Sequence, residues 1–350
     1  MDSVKNLLAL TSQKGASDLH LVVGYKPTLR IDGVLQPVSE AGVLAAEVTE
    51  KYVFEILSPD QKDIFLANRE FDFSYSISGA NFRVNVYFEK GSIALAARLI
   101  PEKIRTVEEL GLPQICHQLT KLRQGFILVT GPTGHGKSTS LASMLNEINM
   151  ARDAHIITIE DPIEYIYPKS KGLVSQREMR LDTHSWDGAL RSALREDIDV
   201  VLIGEMRDFE TIASALTIAE TGHLVFATLH TNSSAQSIDR IVDVFPSVQQ
   251  PQIRMQLAAN LEAILSQRLL PKIGGGRIPA VEVLLGTSAV RSTIREGKSH
   301  LIDNIIQTSK DLGMETLEGS LATLVKEGKV SMEVASNYAL KPEELFRLVK

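Results

Sequence analysis

Residues Phe126–Met150 have the sequence FILVTGPTGHGKSTSLASMLNEINM, and this stretch decides the fold of the chain around it. The apolar, β-branched run Phe126–Thr130 predicts a buried strand, and Ser138–Met150 predicts a helix. The turn between them, Gly131–Ser138, matches the pattern G-x-x-x-x-G-K-[ST]. This pattern binds nucleotide phosphates when it lies between a strand and a helix. We therefore expect a phosphate-binding loop in an α/β domain.

The residue types in this loop indicate its chemistry. Backbone N–H groups at a helix start are unpaired and carry partial positive charge, and glycines let the backbone approach a ligand closely. Lys137 is expected to contact the β- and γ-phosphates, and the Ser138 hydroxyl to ligate Mg²⁺. The predicted cofactors are ATP and Mg²⁺, held by Gly131, Pro132, Thr133, Gly134, His135, Gly136, Lys137, Ser138 and Thr139. A chance match in a glycine-rich turn is the alternative, which the flanking strand and helix disfavour.

Strands and helices alternate after the loop, as in a parallel sheet with crossover helices. The predicted strands are His155–Ile159, Val200–Gly204, Leu224–Thr228 and Ile278–Leu285. The predicted helices are Trp186–Arg195, Phe209–Thr221 and Gln249–Leu270, with several more over Ser288–Lys350.

The first hundred residues have the pattern of a small α+β domain. Helices are predicted over Lys5–Ser12 and Glu47–Leu57, and strands over Asp18–Val23, Thr28–Ile31, Val34–Leu35, Phe71–Ile77, Phe82–Phe88 and Ile93–Leu99, with Asp32-Gly33 as a hairpin turn. The resulting domain plan is an α+β domain over 1–100, a proline-containing linker over 101–113, an ATPase core over 114–287 and a helical region over 288–350.

Composition limits the classes of function. A chain of 350 residues with 44% hydrophobic and 23% charged residues fits a soluble protein of more than one domain. The net charge of −6 gives no electrostatic reason to expect a nucleic-acid partner. Cys116 is the only cysteine, which excludes an internal disulfide framework. Met1–Leu10 lacks signal-peptide features, and no apolar run reaches the roughly 18–20 residues that cross a bilayer. We expect a cytoplasmic protein without direct membrane insertion.

Two acidic segments follow predicted strands. Thr158–Glu164 reads TIEDPIE, and Asp199–Glu205 reads DVVLIGE, with Glu205 at the strand's carboxyl end. Ligands of open α/β sheets bind at the carboxyl ends of strands, so these carboxylates are expected to hold Mg²⁺ or polarise the attacking water. General-base catalysis of this kind typically contributes ~10²–10⁴-fold. The alternative is that each carboxylate is simply solvated.

The segment Thr221–His230, TGHLVFATLH, has a histidine on either side of a predicted buried strand. One of His223 and His230 is expected to sense the γ-phosphate and the other to organise a neighbouring contact. The alternative is that both are structural. A shared metal site is disfavoured because six intervening residues make no common ligand spacing.

Taken together, these motifs resemble those of the secretion ATPase superfamily and, within it, the PilT-type pilus retraction ATPases. The family's boxes occur in order: the Walker A loop Gly131–Ser138, the acidic box Ile159–Tyr165, the Walker B text Gly204–Asp208 and the histidine box Thr221–Asn232. Ala16–His20 and Pro27–Gly33 also resemble the family's N-terminal text. The resemblance extends over essentially the whole chain.

The resemblance implies a PAS-like N-terminal domain, a RecA-like P-loop core and specific residue roles. Glu205 would be the catalytic base, and Glu164 would assist the water or, with Ser138 and Glu205, the metal. His223 and His230 would be the histidine-box pair.

Arginines of the N-terminal domain would reach the nucleotide, and Arg83 and Arg98 match those family positions. A positioned arginine is worth ~10³–10⁵ in phosphoryl transfer. The alternative is a solvated strand arginine.

The retraction subtype rests on Ala289–Glu296, which reads AVRSTIRE where the family signature is AIRNLIRE. The alternative is an amphipathic helix packed on the core. His135 stands where the family usually carries a small residue. Pilus assembly ATPases are longer at the N-terminus and carry a tetracysteine motif, so retraction fits this chain better.

The resemblance therefore implies a hexameric ATPase that powers pilus retraction and twitching motility. It would act at the cytoplasmic face of the inner membrane on the platform protein of the pilus, and a paralogous retraction ATPase would be a further partner. A pilus assembly or secretion ATPase, a non-catalytic ATP-binding regulator and a DNA-translocating motor are the alternatives. The net negative charge disfavours the DNA motor. The presence of Lys137, Ser138, Glu164 and Glu205 disfavours the regulator.

Overall fold

The computed structural model describes residues 3–31, 33–100 and 103–350. Two compact units make up the chain: unit 1 is Met1–Lys103 with Pro162–Ile166, and unit 2 is Ile104–Asp161 with Tyr167–Lys350. Asp32 of the predicted turn, and Pro101 and Glu102 of the predicted linker, lie outside the described residues. The predicted fold class, a small α+β domain and a larger parallel-sheet α/β domain with C-terminal helices, is confirmed.

Unit 1 is built on an antiparallel sheet of order β3-β2-β1-β6-β5-β4. Its elements are α1 (Val4–Gln13), β1 (Asp18–Leu21), β2 (Thr28–Ile31), β3 (Val34–Pro37), α2 (Ala46–Ile56), α3 (Pro59–Asn68), β4 (Glu70–Ile77), β5 (Ala80–Glu89) and β6 (Ser92–Ile100). Phe82, Val84 and Val86 are fully buried on one face, because strand side chains alternate between faces. Helix α3 was not predicted, although Ser58 and Gln61 form a capping box at its start.

Unit 2 is built on a sheet of order β13-β12-β7-β11-β10-β8-β9. The strands are β7 (Gly125–Thr130), β8 (His155–Glu160), β9 (Leu173–Glu178), β10 (Val200–Ile203), β11 (Leu224–Leu229), β12 (Leu261–Pro271) and β13 (Arg277–Leu285). Neighbouring strands from β9 to β12 run parallel, and β13 is antiparallel to β12. The carboxyl ends of the parallel strands therefore share one edge of the sheet.

Helices cover both faces of this sheet. They are α4 (Val107–Leu110), α5 (Cys116–Leu119), α6 (Lys137–Ala151), α7 (Trp186–Ala193), α8 (Phe209–Glu220), α9 (Ser234–Asp243), α10 (Gln250–Asn260), α11 (Ser288–Arg295), α12 (Ile302–Thr308), α13 (Leu317–Lys326), α14 (Met332–Tyr338) and α15 (Pro342–Val349). Alternate residues of β7 belong to different cores: Phe126 packs in the cluster that contains α8, and Ile127 in the cluster that contains α6. Helix α4 lies within the segment predicted as a linker. Over the described ranges, no helix is long and apolar enough to cross a membrane.

The predicted helix Gln249–Leu270 is wrong in its second half. Helix α10 ends at Asn260, and β12 then pairs with β7 on one side and β13 on the other. Because β12 is buried on both faces, its apolar residues do not alternate with polar ones. Leu261, Ile264 and Leu265 also stand at helical spacing, and no glycine or proline marks the boundary.

Candidate nucleotide-binding site

The loop Gly131–Ser138 connects β7 to α6 at the carboxyl edge of the sheet. Gly136 is the N-cap of α6 and has the left-handed φ of 82°. Gly131 has a φ of 141°, and a Cβ at this position would lie 2.4 Å from the carbonyl oxygen of Gln267. The loop therefore approaches β12 too closely for any side chain at Gly131. The loop thus ends at the start of α6, and helix starts are common anion-binding sites.

Lys137, the first residue of α6, is buried inside the loop with a relative exposure of 8%. Its Nζ donates to the carbonyl oxygens of Gly131, at 2.8 Å, and of Pro132, at 3.0 Å. The ammonium group is thus positioned at the centre of the loop. A Cβ built on Gly134 would meet nothing within 4 Å, so this side of the loop is open to a ligand.

Glu205 lies just beyond the end of β10, as predicted from the apolar run before it. Its Oε1 is 2.7 Å from Nη2 of Arg207, and its Oε2 is 3.7 Å from Nε2 of His230. The Glu205 side chain is only 15% exposed, whereas Arg207 is 75% exposed. The carboxylate is therefore paired with an exposed cation and has a ring nitrogen close by.

His230 follows β11 and connects Glu205 to the loop. Its Nδ1 lies 3.4 Å from Nζ of Lys137 and 3.4 Å from Oγ1 of Thr133. Burial and the Lys137 cation lower the pKa of the His230 imidazole below its usual value, although Glu205 opposes this shift. A neutral ring that accepts from Lys137 at Nδ1 carries its proton on Nε2, the nitrogen nearest Glu205. Lys137, His230 and Glu205 are thus brought together.

His223 is not brought to the loop. It precedes β11, and its Nδ1 lies 3.1 Å from both the Ile218 carbonyl oxygen and the Thr221 hydroxyl. The six residues of β11 separate it from His230. At the usual rise of about 3.3 Å per residue, the seven steps between the two histidines place them about 23 Å apart, at opposite ends of the strand.

The acidic box is divided between the two units. Glu160, at the end of β8, is buried and accepts a hydrogen bond of 2.6 Å from the Thr158 hydroxyl. Glu164 belongs to the segment Pro162–Ile166, which is part of unit 1. There its Oε1 lies 3.4 Å from Nη1 of Arg83.

Arg83 and Arg98 lie side by side in unit 1, directly opposite each other in the pairing of β5 with β6. Nε of Arg98 is 2.9 Å from Oδ1 of Asp18 on the next strand. Burial alone would raise the pKa of Asp18, but hydrogen bonds from Ser17 and Arg98 outweigh it and lower the pKa. The Arg98 side chain is 71% exposed, so the ion pair leaves most of its guanidinium accessible.

Two further residues near the loop, Gln267 and Arg268, were missed because β12 was predicted to be helical. The Gln267 side chain donates to the His135 carbonyl oxygen at 2.7 Å. Arg268 donates to the carbonyl and side-chain oxygens of Asn232, each at 3.1 Å. Adjacent residues of β12 therefore hold the phosphate loop and the loop after β11.

The segment Ala289–Glu296 falls on α11, whose Val290 and Ile294 are buried against the core. Arg291 donates to the Gly286 carbonyl at 2.7 Å and pairs with Glu262 at 2.7 Å. These contacts are those of an amphipathic helix anchored to the core.

A strand, glycine loop and helix with a lysine, a carboxylate and a histidine at one sheet edge define a P-loop protein. The model of the family "Type II/IV secretion system protein" matches residues 3–276, and the chain belongs to that family. The predicted membership in the secretion ATPase superfamily is thereby confirmed.

Individual relatives show which members of this family the chain resembles. The chain is 46% identical to the type IV pilus retraction ATPase PilT of Pseudomonas aeruginosa, over 97% of this chain and 99% of that protein. It is 42% identical to a twitching motility protein of Neisseria gonorrhoeae, over 98% of this chain and 92% of that protein. A crystal structure of the pilus retraction motor PilT with bound ADP has a TM-score of 0.91 at 44% identity, covering 99% of both chains. The predicted resemblance to PilT-type retraction ATPases is confirmed.

Proposed function

We propose that this chain is an Mg²⁺-dependent ATPase that powers pilus retraction as a hexameric ring. The observation that carries the proposal is the contact of Lys137, His230 and Glu205 at the mouth of the phosphate loop. The chain is similar to a retraction ATPase and to a twitching motility protein over nearly their full length, which supports a pilus as the structure on which this ATPase acts.

Nucleotide binding is assigned to the loop and to Lys137. The Lys137 ammonium donates to the phosphates in place of the Gly131 and Pro132 carbonyls that it contacts here. Hydroxyl and carboxylate oxygens are the ligands that Mg²⁺ prefers, so Ser138 and Glu205 fit a magnesium site. When bound, Mg²⁺ neutralises charge that develops on the phosphate oxygens.

Glu205 is assigned as the general base, which accepts the proton of the attacking water. His230 senses the phosphate through Lys137. When the Lys137 cation turns to the nucleotide, Nδ1 of His230 loses a donor, and the His230–Glu205 contact changes with it. The state of the nucleotide is thereby transmitted to the base.

The roles proposed for Glu164, Arg83 and Arg98 rest on their arrangement within unit 1. Arg83 contacts Glu164 and stands opposite Arg98, which pairs with Asp18, so two guanidinium groups and two carboxylates are adjacent. Such a pair of arginines stabilises negative charge on a transferring phosphoryl group. With His230 assigned to the phosphate, the role of His223 in organising a neighbouring contact also stays a prediction.

Force is proposed to pass to the inner-membrane platform protein, with the chain peripheral to the cytoplasmic face of that membrane. A paralogous retraction ATPase is a further proposed partner. The other functions predict different results: stimulation of hydrolysis by DNA would favour a DNA motor, and ATP binding without phosphate release would favour a regulator.

The test compares ATP hydrolysis by the wild type and by Glu205→Gln, with oligomeric size measured by light scattering on the same samples. We expect Mg²⁺-dependent turnover by a hexamer, and a loss of ~10²–10⁴-fold in the variant with ATP binding retained. Glu210→Gln is the matched control, because Glu210 is exposed and undergoes the same chemical change. Near-normal turnover by Glu205→Gln would overturn the assignment of the base.

A further inference from the structure

Strand β12 extends beyond the end of its partner β7. Their pairing ends where Ser266 lies opposite Thr130, but β12 continues to Pro271. On its other edge, β12 remains paired with β13 as far as Pro271. After Ser266, the edge of β12 on the β7 side therefore faces the phosphate loop, and its backbone groups need partners there.

His135 is the partner of one of these groups, the Leu269 N–H, and it contacts β12 through both its backbone and its side chain. The N–H of Leu269 donates to Nδ1 of His135 at 3.1 Å. The Gln267 amide donates to the His135 carbonyl oxygen at 2.7 Å, and the same Gln267 side chain accepts from the Ser140 hydroxyl at 2.7 Å. The middle of the phosphate loop is thus bound to β12 by one backbone N–H and one side-chain amide of that strand.

The His135 ring is suited to this contact. An Nδ1 that accepts a backbone N–H must be unprotonated, so the proton lies on Nε2. Burial, together with the nearby cations of Arg268 and Lys137, lowers the pKa of His135 and keeps the ring neutral. The Tyr338 ring of α14 lies 5.9 Å away, centroid to centroid, and is tilted by 52° to the imidazole.

We propose that the His135 side chain is a positioning residue that holds the phosphate loop in its binding conformation by accepting the Leu269 N–H. The ligand concerned is a nucleoside di- or triphosphate, so this inference rests on the proposed function. A small residue at position 135 cannot reach Leu269, which makes this contact a property of this chain rather than of the loop motif. Loss of the acceptor leaves a backbone donor unpaired at the loop, and nucleotide affinity should fall by about 5- to 30-fold.

The experiment compares His135→Leu with His135→Asn in the full-length protein. Leucine keeps the bulk of the ring without an acceptor, whereas the asparagine Oδ1 takes nearly the place of Nδ1. Binding of a fluorescent ADP and hydrogen exchange at the Leu269 amide are measured on each. His300→Leu is the matched control, because His300 is exposed and outside the loop.

In His135→Leu we expect faster exchange at Leu269, about 5- to 30-fold weaker ADP binding, and a rise in KM larger than the change in kcat. His135→Asn should recover most of the affinity and the protection. Wild-type exchange and affinity in His135→Leu would overturn the proposal, as would an asparagine variant as impaired as the leucine variant. If the wild type proves unable to hydrolyse ATP, the proposed function fails, but exchange at Leu269 still decides the role of His135.

Discussion

Replacing Gly131 with alanine should destabilise unit 2 and weaken nucleotide binding, and the geometry of the loop sets the size of the effect. The new Cβ would lie 2.4 Å from the Gln267 carbonyl oxygen, which is backbone and cannot rotate away. Gly134 provides the comparison. Its φ of 80° is also positive, but a Cβ there would meet nothing within 4 Å.

Gly134→Ala therefore measures backbone strain without overlap, about 1–2 kcal/mol for a left-handed residue. Gly131→Ala combines strain of ~1–3 kcal/mol in a region used almost only by glycine with ~1–3 kcal/mol for the overlap. The expected losses in the free energy of unfolding are thus about 2–6 kcal/mol for Gly131→Ala and about 1–2 kcal/mol for Gly134→Ala.

The chain offers a local probe for this measurement. Trp186 is the only tryptophan, and it packs against the core of unit 2. Urea unfolding followed by Trp186 fluorescence therefore reports on unit 2 rather than on the two units together. If Gly131→Ala and Gly134→Ala lose the same free energy, the close approach of the loop to β12 is not a constraint, and the reasoning is refuted.

Two more predictions concern ion pairs of unit 2 away from the phosphate loop. His117 lies 2.7 Å from Glu108 and 2.8 Å from Glu147, and hydrogen bonding to Glu147 raises the pKa of His117. The folded state therefore holds this proton more tightly than the unfolded state. His117→Gln should therefore lower the free energy of unfolding by ~0.2–1 kcal/mol per ion pair at a pH below 6.5, the usual histidine pKa. This loss should disappear as the pH rises through the pKa of His117 in the folded state. Urea unfolding at several pH values measures it, and a difference in urea midpoints that does not depend on pH would contradict the prediction. Arg291→Met should lower the free energy of unfolding by ~1–3 kcal/mol in the same assay, because Glu262 and backbone carbonyls lose their donor. Arg295→Met is the control, and it should lower this free energy little because Arg295 is exposed. Equal losses in the two variants would refute the anchoring role of Arg291.

The phosphate loop and its flanking elements could be predicted because their signals are local. Strand β7, the glycine loop and α6 each follow from residues within one stretch of chain, and Glu205 follows from the apolar run of β10. Strand β12 could not be predicted in the same way. A strand buried between two others loses the alternation of apolar and polar residues, so Leu261, Ile264 and Leu265 fit a helix equally well.

The positions of His223 and Glu164 illustrate two different limits. In a parallel sheet, a residue that precedes a strand lies at the edge opposite to one that follows it. The separation of His223 from the loop was therefore available from the predicted strand boundaries. The grouping of Glu164 with Arg83 depends on a contact between distant parts of the chain, which spacing within the acidic box does not encode.

The pairing of β7 with β12 has a consequence for synthesis on the ribosome. Thr130 ends β7 and Leu261 begins β12, so the strand that holds the loop starts 131 positions after β7 ends. At translation rates of about 5–20 residues per second, the finished loop waits roughly 7–26 s for its support. During that interval β7 is an exposed edge, and Gly131 and His135 have no β12 to lie against. A nascent chain that already contains the whole Walker A sequence therefore still lacks the contacts that Gln267 and Leu269 make with the phosphate loop, and these form only after Leu269 has left the exit tunnel.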